Sequence, residues 1–274
     1  MERDRRPRQA ARLSRDVSVP WTVVGAGRVG SVLARRAGTR TLRRDDVEAP
    51  RSDGPVVVAT RNDDLDAVLT RLDPAVWPRV VLVQNGVLDP VLRRIGLSAA
   101  GVPDNGPLVT LGLLYFAASA RDGLAVPGGT SWFCGPEAAN MVAAFTELGL
   151  PAGQLGPADH RAATGVKLSW NLIYGLLGEL EWRAGRPNLV AAVTEARRAD
   201  CVALCSELRP VLTAWLGADP GPLVADLFAY SARIPDFPVR LRELSWRNGA
   251  LAAEAARAGL PTPLHDALLA RATS

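Results

Sequence analysis

The chain has 274 residues, 48% of them hydrophobic, so it is long enough for two domains with buried cores. Its formal net charge is only +4, and no apolar run approaches the roughly 18 residues of a membrane helix. These features argue against a wholly disordered chain and against a membrane protein. We expect a cytoplasmic protein without a membrane partner.

The first segment, residues 1–18, is rich in arginine and poor in apolar side chains, which predicts a disordered basic arm. Such an arm could touch nucleic acid. It has no interleaved aromatic residues, however, and no nucleic-acid-binding motif. We therefore expect no nucleic-acid partner.

The next segment alternates strand and helix patterns. Short β-branched or apolar runs predict strands at 21–24, 39–42, 55–60, 80–83, 108–114 and 131–134, and helical spacing predicts helices at 28–36 and 65–72. Strands that alternate with helices form parallel sheets covered on both faces. Residues 19–157 are thus predicted to form an α/β domain, a Rossmann-type doubly wound sheet.

The last segment, residues 158–274, is predicted to be an all-helical domain. Helical patterns cover 166–180, 187–216 and 242–258, with Pro210 expected to interrupt the second, and loops are expected at 217–222 and 235–238. Cys201 and Cys205 are one helical turn apart, and we interpret them as buried apolar residues rather than metal ligands. A small ligand is expected in the cleft between the two domains.

A glycine-rich turn follows the first predicted strand and opens the first predicted helix, which is the context of a dinucleotide-binding fingerprint. The first glycine permits a tight turn, the second lets the backbone approach a pyrophosphate, and the third allows close packing. The helix N-terminus supplies N–H donors to the phosphates. The residues expected to bind the cofactor here are Gly25, Ala26, Gly27, Arg28, Val29 and Gly30.

The choice of cofactor depends on the end of the second predicted strand. Arg43 and Arg44 come first there, followed by Asp45 and Asp46. Arginines accommodate a 2′-phosphate, whereas an acidic side chain binds a ribose diol. Because the arginines come first, we predict NADPH rather than NADH.

Lys167 is the only lysine of the chain, although Lys and Arg together number 32. Arginine does not release its proton near neutral pH, whereas a buried lysine does. Lys167 is therefore a candidate proton donor. On an otherwise apolar predicted helix it shares one face with Asn171 and Gly175, at spacings of four residues.

Other polar residues occur where ligands bind in such folds. Gln84-Asn85-Gly86 follows a strand at its carboxyl end. Ser231 and Glu243 lie twelve residues apart, with Glu243 expected to open a late helix.

The order of these motifs resembles the ketopantoate reductase family from about Val23 to His265. The matching pieces are Gly25-Ala26-Gly27-Arg28-Val29-Gly30, Gln84-Asn85-Gly86, Lys167 with Asn171, Ser231, Glu243, and Gly259-Leu260-Pro261-Thr262-Pro263. The resemblance implies reduction of the ketone of 2-dehydropantoate with NADPH. It also implies a small-molecule 2-oxo acid as the partner, in a monomer or homodimer.

The same resemblance implies roles for individual residues. Lys167 would be the general acid, and Glu243 would help to bind the reacting oxygen. Asn171 and Ser231 would contact the substrate, Asn85 would lie between nicotinamide and substrate, and Arg61 would stand near the cofactor.

The sequence departs from the family pattern on the substrate side, because Gly175 replaces an asparagine and the polar run after Ser231 is altered. A relative that reduces another 2-oxo acid is therefore an alternative. Two further alternatives are a β-hydroxyacid dehydrogenase and a catalytically silent NADP(H) sensor.

Overall fold

A computed structural model describes residues 21–43, 46–47, 53–99, 106, 108–118 and 125–274. The basic arm predicted for residues 1–18 lies outside these residues, as does Arg44. The described strands are β1 Thr22–Val24, β2 Thr41–Leu42, β3 Val56–Val58, β4 Val80–Leu82, β5 Ser98–Ala99, β6 Leu108–Leu113, β7 Phe116–Ala118, β8 Ala125–Pro127, β9 Ser131–Cys134 and β10 Ala152–Gln154.

The described helices begin with α1 immediately after the glycine-rich turn. They are α1 Arg28–Arg36, α2 Leu65–Arg71, α3 Asp89–Ile95, α4 Ala138–Glu147, α5 Pro157–Arg183, α6 Val190–Ala196, α7 Arg198–Leu216, α8 Leu223–Ser231, α9 Asn248–Ala258 and α10 Pro263–Thr273. Short 3₁₀ turns cover Asn62–Asp64, Pro74–Arg79 and Leu244–Trp246.

Eight strands form one sheet in the order β10-β9-β6-β4-β3-β1-β2, with β5 paired to β6. Its pairs are parallel except for β6 with β9. The sheet is covered on both faces, because alternate residues of each strand belong to different hydrophobic clusters. Val23, Val57 and Val81 pack in one cluster, whereas Val24 and Val58 pack in the other. The predicted doubly wound α/β domain is confirmed.

The C-terminal part is helical, as predicted, and packs around α5. This 27-residue helix is about 40 Å long, since an α-helix rises about 1.5 Å per residue. Its residues Leu172, Ile173, Leu176 and Leu177 are fully buried in a third cluster, which also contains the buried Cys201 and Cys205. The prediction that both cysteines are buried is confirmed.

The expected interruption at Pro210 is wrong. Pro210 lies inside α7, and the helical run breaks instead at Arg197, between α6 and α7. Leu208 and Val211, on either side of the proline, are fully buried. Their packing outweighs the cost of about 3 kcal/mol that an interior proline imposes.

The late helix also begins later than predicted. Residues 244–246 form a 3₁₀ turn, and α9 begins at Asn248. Glu243 precedes this turn in the left-handed backbone region, at φ 47°, and a left-handed residue cannot continue a helix. None of the helices in the described part of the chain is long and apolar enough to cross a bilayer.

Candidate active site

The glycine-rich turn closes against the end of β3. Gly25 has φ +111°, and a Cβ there would lie 2.8 Å from the backbone of Ala59. A Cβ on Gly30 would lie 1.9 Å from the carbonyl oxygen of Gly25. Both positions therefore require glycine, because a side chain at Gly25 would clash with the segment after β3 and one at Gly30 would push α1 away from the turn.

Gly27 is different, because it borders open space. A Cβ there would meet only the Ala59 oxygen, at 3.9 Å. Gly27 is the N-cap of α1, no described side chain caps this helix, and its first turn carries no acidic residue. Exposed N–H groups and the positive end of the helix dipole remain available to an anion there. The turn fits a dinucleotide pyrophosphate.

An outer groove of about 970 Å³ extends from this turn. It is lined by Gly25, Ala26, Gly27, Arg28, Val29, Arg43, Ala59, Thr60, Arg61, Asp64, Asn85, Leu241, Arg242, Glu243 and Arg247. All the described residues predicted to contact the cofactor, apart from the buried Gly30, therefore line one groove. The guanidinium groups of Arg28, Arg43 and Arg61 are exposed, so the groove offers several cations to phosphate groups.

An inner cavity of about 200 Å³ meets the outer groove at Arg28, Val29, Asn85, Arg242 and Arg247, which line both. Lys167, Asn171 and Gly175 line it on the side of α5. Its apolar wall consists of Val83, Leu114, Phe116, Trp170, Tyr230, Ile234, Phe237, Pro238 and Val239. A group bound at the groove and a small molecule in the cavity would therefore adjoin each other.

Lys167 is the central polar residue of the inner cavity, and it is only 9% exposed. Its Nζ donates a hydrogen bond to the carbonyl oxygen of Leu114 and lies 4.9 Å from the centre of the Tyr115 ring. Burial, followed by the positive charge of Arg247, lowers the pKa of Lys167 to about 7. Lys167 can thus hold or release a proton near neutral pH.

The two predicted asparagines, Asn85 and Asn171, line the inner cavity together with Lys167. Asn171 donates from Nδ2 to the carbonyl oxygen of Lys167, 3.1 Å away. Asn62 donates to the carbonyl oxygen of Asn85 at 2.8 Å, and Gln84 donates to the carbonyl oxygen of Val58 at 3.0 Å. These bonds fix the turn after β4, and they leave the side chain of Asn85 at the junction of groove and cavity.

Ser231 does not line the inner cavity. It is 3% exposed, donates to the carbonyl oxygen of Leu227 at 2.7 Å, and accepts from Nε1 of Trp170 at 3.0 Å. Ser231 therefore lies behind Trp170, which forms part of the cavity wall. This placement does not match the substrate contact that the resemblance implied.

Glu243 lines the outer groove but not the inner cavity. Its Oε2 accepts a hydrogen bond from Nη2 of Arg247 at 2.7 Å, in an ion pair whose side chains are 19% and 12% exposed. Within the described residues, the ion pair of Glu243 is with Arg247, and Lys167 makes no ion pair with a carboxylate.

Sequence reasoning missed Arg242 and Arg247, which lie at the junction of groove and cavity. The four-residue spacing of Glu243 and Arg247 would indicate an ion pair on the helix predicted at 242–258, but the observed pair spans a left-handed residue and a 3₁₀ turn instead. Burial lowers the pKa of Arg247, and burial and the neighbouring charge of Arg28 lower that of Arg242.

Solved structures share this fold. A PanE/ApbA family ketopantoate reductase from Ralstonia eutropha is 17% identical with a TM-score of 0.66, over 93% of this chain and 97% of that chain. A 2-dehydropantoate 2-reductase from Methylococcus capsulatus is 16% identical with a TM-score of 0.65, over 92% and 95%. A D-mandelate dehydrogenase, solved with NADH and anilino(oxo)acetate, is 14% identical with a TM-score of 0.64, over 93% and 97%.

Because these structures are only 14–17% identical to this chain, their similarity to it is a similarity of fold. The sequence itself matches no protein-family model and no curated protein. The resemblance to ketopantoate reductases that the motifs indicated is thus confirmed as a shared fold.

Proposed function

We propose that the protein reduces a 2-oxo acid to a 2-hydroxy acid with NADPH, and that Lys167 is the general acid. The observation that carries this proposal is the position of the only lysine. Lys167 is buried in a small cavity that opens, past Asn85, into the groove at the glycine-rich turn. A proton donor therefore adjoins the site that fits a dinucleotide.

The residues that would hold the cofactor line the outer groove. The N-terminus of α1 and Arg28 would bind the pyrophosphate. Arg43, at the end of β2, would bind the 2′-phosphate, which favours NADPH over NADH. When bound, the reduced nicotinamide supplies the hydride that reduces the ketone.

The side chain of Lys167 would do two things for the reaction. Its ammonium stabilises negative charge that develops on the carbonyl oxygen, and it then gives its proton to the resulting alkoxide. The carbonyl oxygen of Leu114 orients Nζ before the reaction. A pKa near 7 makes this proton easier to transfer than that of an exposed lysine.

Asn85 and Asn171 would assist by donating hydrogen bonds to the substrate from opposite sides of the junction between the outer groove and the inner cavity. Asn85 follows β4 and faces both groove and cavity, whereas Asn171 lies one turn after Lys167 on α5. Side-chain amides can donate to a carbonyl or carboxylate oxygen. The resemblance also gives Glu243 a place at the reacting oxygen, but its pairing with Arg247 favours a supporting role.

The first substrate to test is 2-dehydropantoate, which the resemblance implies. A second candidate, reduction of a 2-oxo acid with an apolar side chain, is favoured by a specific observation. Ser231 is turned away from the cavity, and Gly175 offers no side chain to a substrate hydroxyl. The aromatic and aliphatic wall around Trp170 suits an apolar substituent.

Steady-state oxidation of NADPH with a panel of 2-oxo acids tests the proposal. The panel contains 2-dehydropantoate, 2-oxoisovalerate and phenylglyoxylate. We expect turnover with at least one of them and a large loss in Lys167→Met. A protein that binds NADPH but reduces none of them would support the silent sensor, and oxidation of 3-hydroxy acids alone would support a β-hydroxyacid dehydrogenase.

A further inference from the structure

The inner cavity carries a marked excess of positive charge. Five of its lining residues are basic, and none of the described lining residues is acidic: Arg28, Lys167, Arg240, Arg242 and Arg247. Like charges gathered in a partly buried cavity repel each other unless an anion joins them. Arg240 and Arg247 have carboxylate partners outside the cavity lining, in Glu179 and Glu243, but the lining as a whole still favours a ligand with a negative charge.

Two of these arginines have other tasks. Arg240 donates from Nε to Glu179 at 2.7 Å, and its guanidinium lies 3.4 Å from the centre of the Trp182 ring. Arg28 belongs to the glycine-rich turn, where an anion at the N-terminus of α1 would face it. Arg242, and Arg247 with its partner Glu243, remain for a ligand in the cavity.

Arg247 has an incomplete set of partners. Its Nη2 is bonded to Glu243, but its Nε is buried and has no hydrogen-bond partner. A buried donor without a partner is unfavourable, and a charged donor more so. A ligand carboxylate at the cavity would give this guanidinium a further charge-assisted hydrogen bond beside the one to Glu243.

The position of Arg247 relative to Lys167 fits one group of the substrate. Arg247 is the charged residue that lowers the pKa of Lys167, whereas Arg242 is not among the causes. Arg247 and Lys167 also line the same cavity. In a 2-oxo acid the carboxyl carbon is bonded directly to the carbonyl carbon, so a carboxylate must lie beside the proton donor of the carbonyl oxygen.

We propose that Arg247 binds the carboxylate of the substrate and that Glu243 is a positioning residue that holds Arg247 for it. This inference rests on the proposed function. The left-handed backbone of Glu243 directs its carboxylate to Arg247 within a short stretch of chain. Non-glycine residues adopt such a conformation at a cost that the surrounding structure must compensate.

The kinetic test compares a 2-oxo acid with its methyl ester, which lacks the negative charge. In Arg247→Gln we expect kcat/KM for 2-oxoisovalerate to fall at least about 30-fold, while kcat/KM for the ester changes less than about threefold. Arg247→Lys should lose part of the activity toward the 2-oxo acid, because lysine keeps the positive charge but lacks the planar guanidinium group. An equal loss for acid and ester, or no loss for either, would overturn the inference.

Glu243→Gln and a surface control complete the kinetic test. If Glu243 acts through Arg247, Glu243→Gln raises KM for the acid in the unmodified protein but adds little in the Arg247→Gln background. Arg271→Gln, at an exposed position of α10, should leave both substrates unchanged. Additive effects of the two variants would contradict the positioning role.

A binding measurement separates this inference from the proposed function. Oxamate, an unreactive analogue of a 2-oxo acid, is titrated by calorimetry into the protein with NADPH. We expect binding that weakens at least about tenfold in Arg247→Gln, with unchanged NADPH affinity. If this holds but no 2-oxo acid is reduced, the proposed function fails and the inference stands. No oxamate binding to the unmodified protein, or weaker NADPH binding in place of weaker oxamate binding, would overturn the inference.

Discussion

The Nζ of Lys167 donates a hydrogen bond to the carbonyl oxygen of Leu114, so α5 is joined to the end of β6 at the wall of the inner cavity. Lys167 is buried without a carboxylate partner among the described residues, while Arg247 places a second positive charge near it. This environment favours the neutral amine. A lysine at this position is therefore suited to proton transfer rather than to a structural ion pair.

The pH dependence of the reaction should follow Lys167. Its pKa is lowered from 10.5 to about 7, and reduction needs the protonated form. We expect kcat/KM for the 2-oxo acid, at saturating NADPH, to be constant below pH 7 and to fall as pH rises above it. Oxidation of the 2-hydroxy acid needs the neutral amine and should rise through the same range. Parallel pH profiles in the two directions would contradict this assignment.

Replacing Arg247 should displace this profile. Since the charge of Arg247 lowers the pKa of Lys167, Arg247→Gln should move the alkaline limb to higher pH. The methyl ester is the substrate for this measurement, because its binding does not need the charge of Arg247. A limb that stays in place, or moves to lower pH, would show that the two charges do not interact.

Cofactor preference should depend on Arg43. The Arg43→Ala variant removes a cation that lines the groove at the end of β2, and we expect NADPH affinity to fall about tenfold with little change for NADH. Arg40→Ala is the matched control, since Arg40 is exposed on the same segment but does not line the groove. Calorimetry that shows equal affinities for both cofactors in the unmodified protein would refute the NADPH preference.

Ser231 should matter for stability and little for substrate binding. Ser231→Ala leaves Nε1 of Trp170 without its acceptor, which should lower the free energy of unfolding by about 1–3 kcal/mol. We expect KM for 2-dehydropantoate to change less than about twofold. Ser206→Ala, at an exposed position of α7, is the control in denaturant titrations. A tenfold rise in KM without a loss of stability would restore the substrate contact that the family resemblance implies.

Much of the α/β domain could be predicted because its signals are local. The predicted helix at 28–36 matches α1, and the strand at 131–134 matches β9. Strands of a buried parallel sheet are rich in valine, and glycines mark the turns that bound them. The helix break at Pro210 was predicted wrongly because the cost of an interior proline can be read from the local sequence. The packing of Leu208 and Val211 that outweighs this cost is tertiary.

The candidate site could be inferred from the sequence where a residue type limits the chemistry. Lys167 stands out in an arginine-rich chain, and the glycine-rich turn requires its glycines at Gly25 and Gly30. The roles of Ser231, Glu243 and Arg247 depend instead on which way each side chain points across the junction of two folded parts. Sequence spacing carries no information about that direction once the chain leaves a regular helix, as it does at Glu243.

The most direct test of the central claim is single-turnover oxidation of NADPH by Lys167→Arg with the best available 2-oxo acid. Arginine keeps the positive charge but cannot release a proton near neutral pH. We predict that the rate falls by about 10²-fold or more, while the dissociation constant for NADPH, measured on the same preparation as evidence of folding, stays within about twofold. Lys167→Met, which removes both charge and proton, should be slower still. A near-normal rate in Lys167→Arg would contradict the proton-donor role of Lys167.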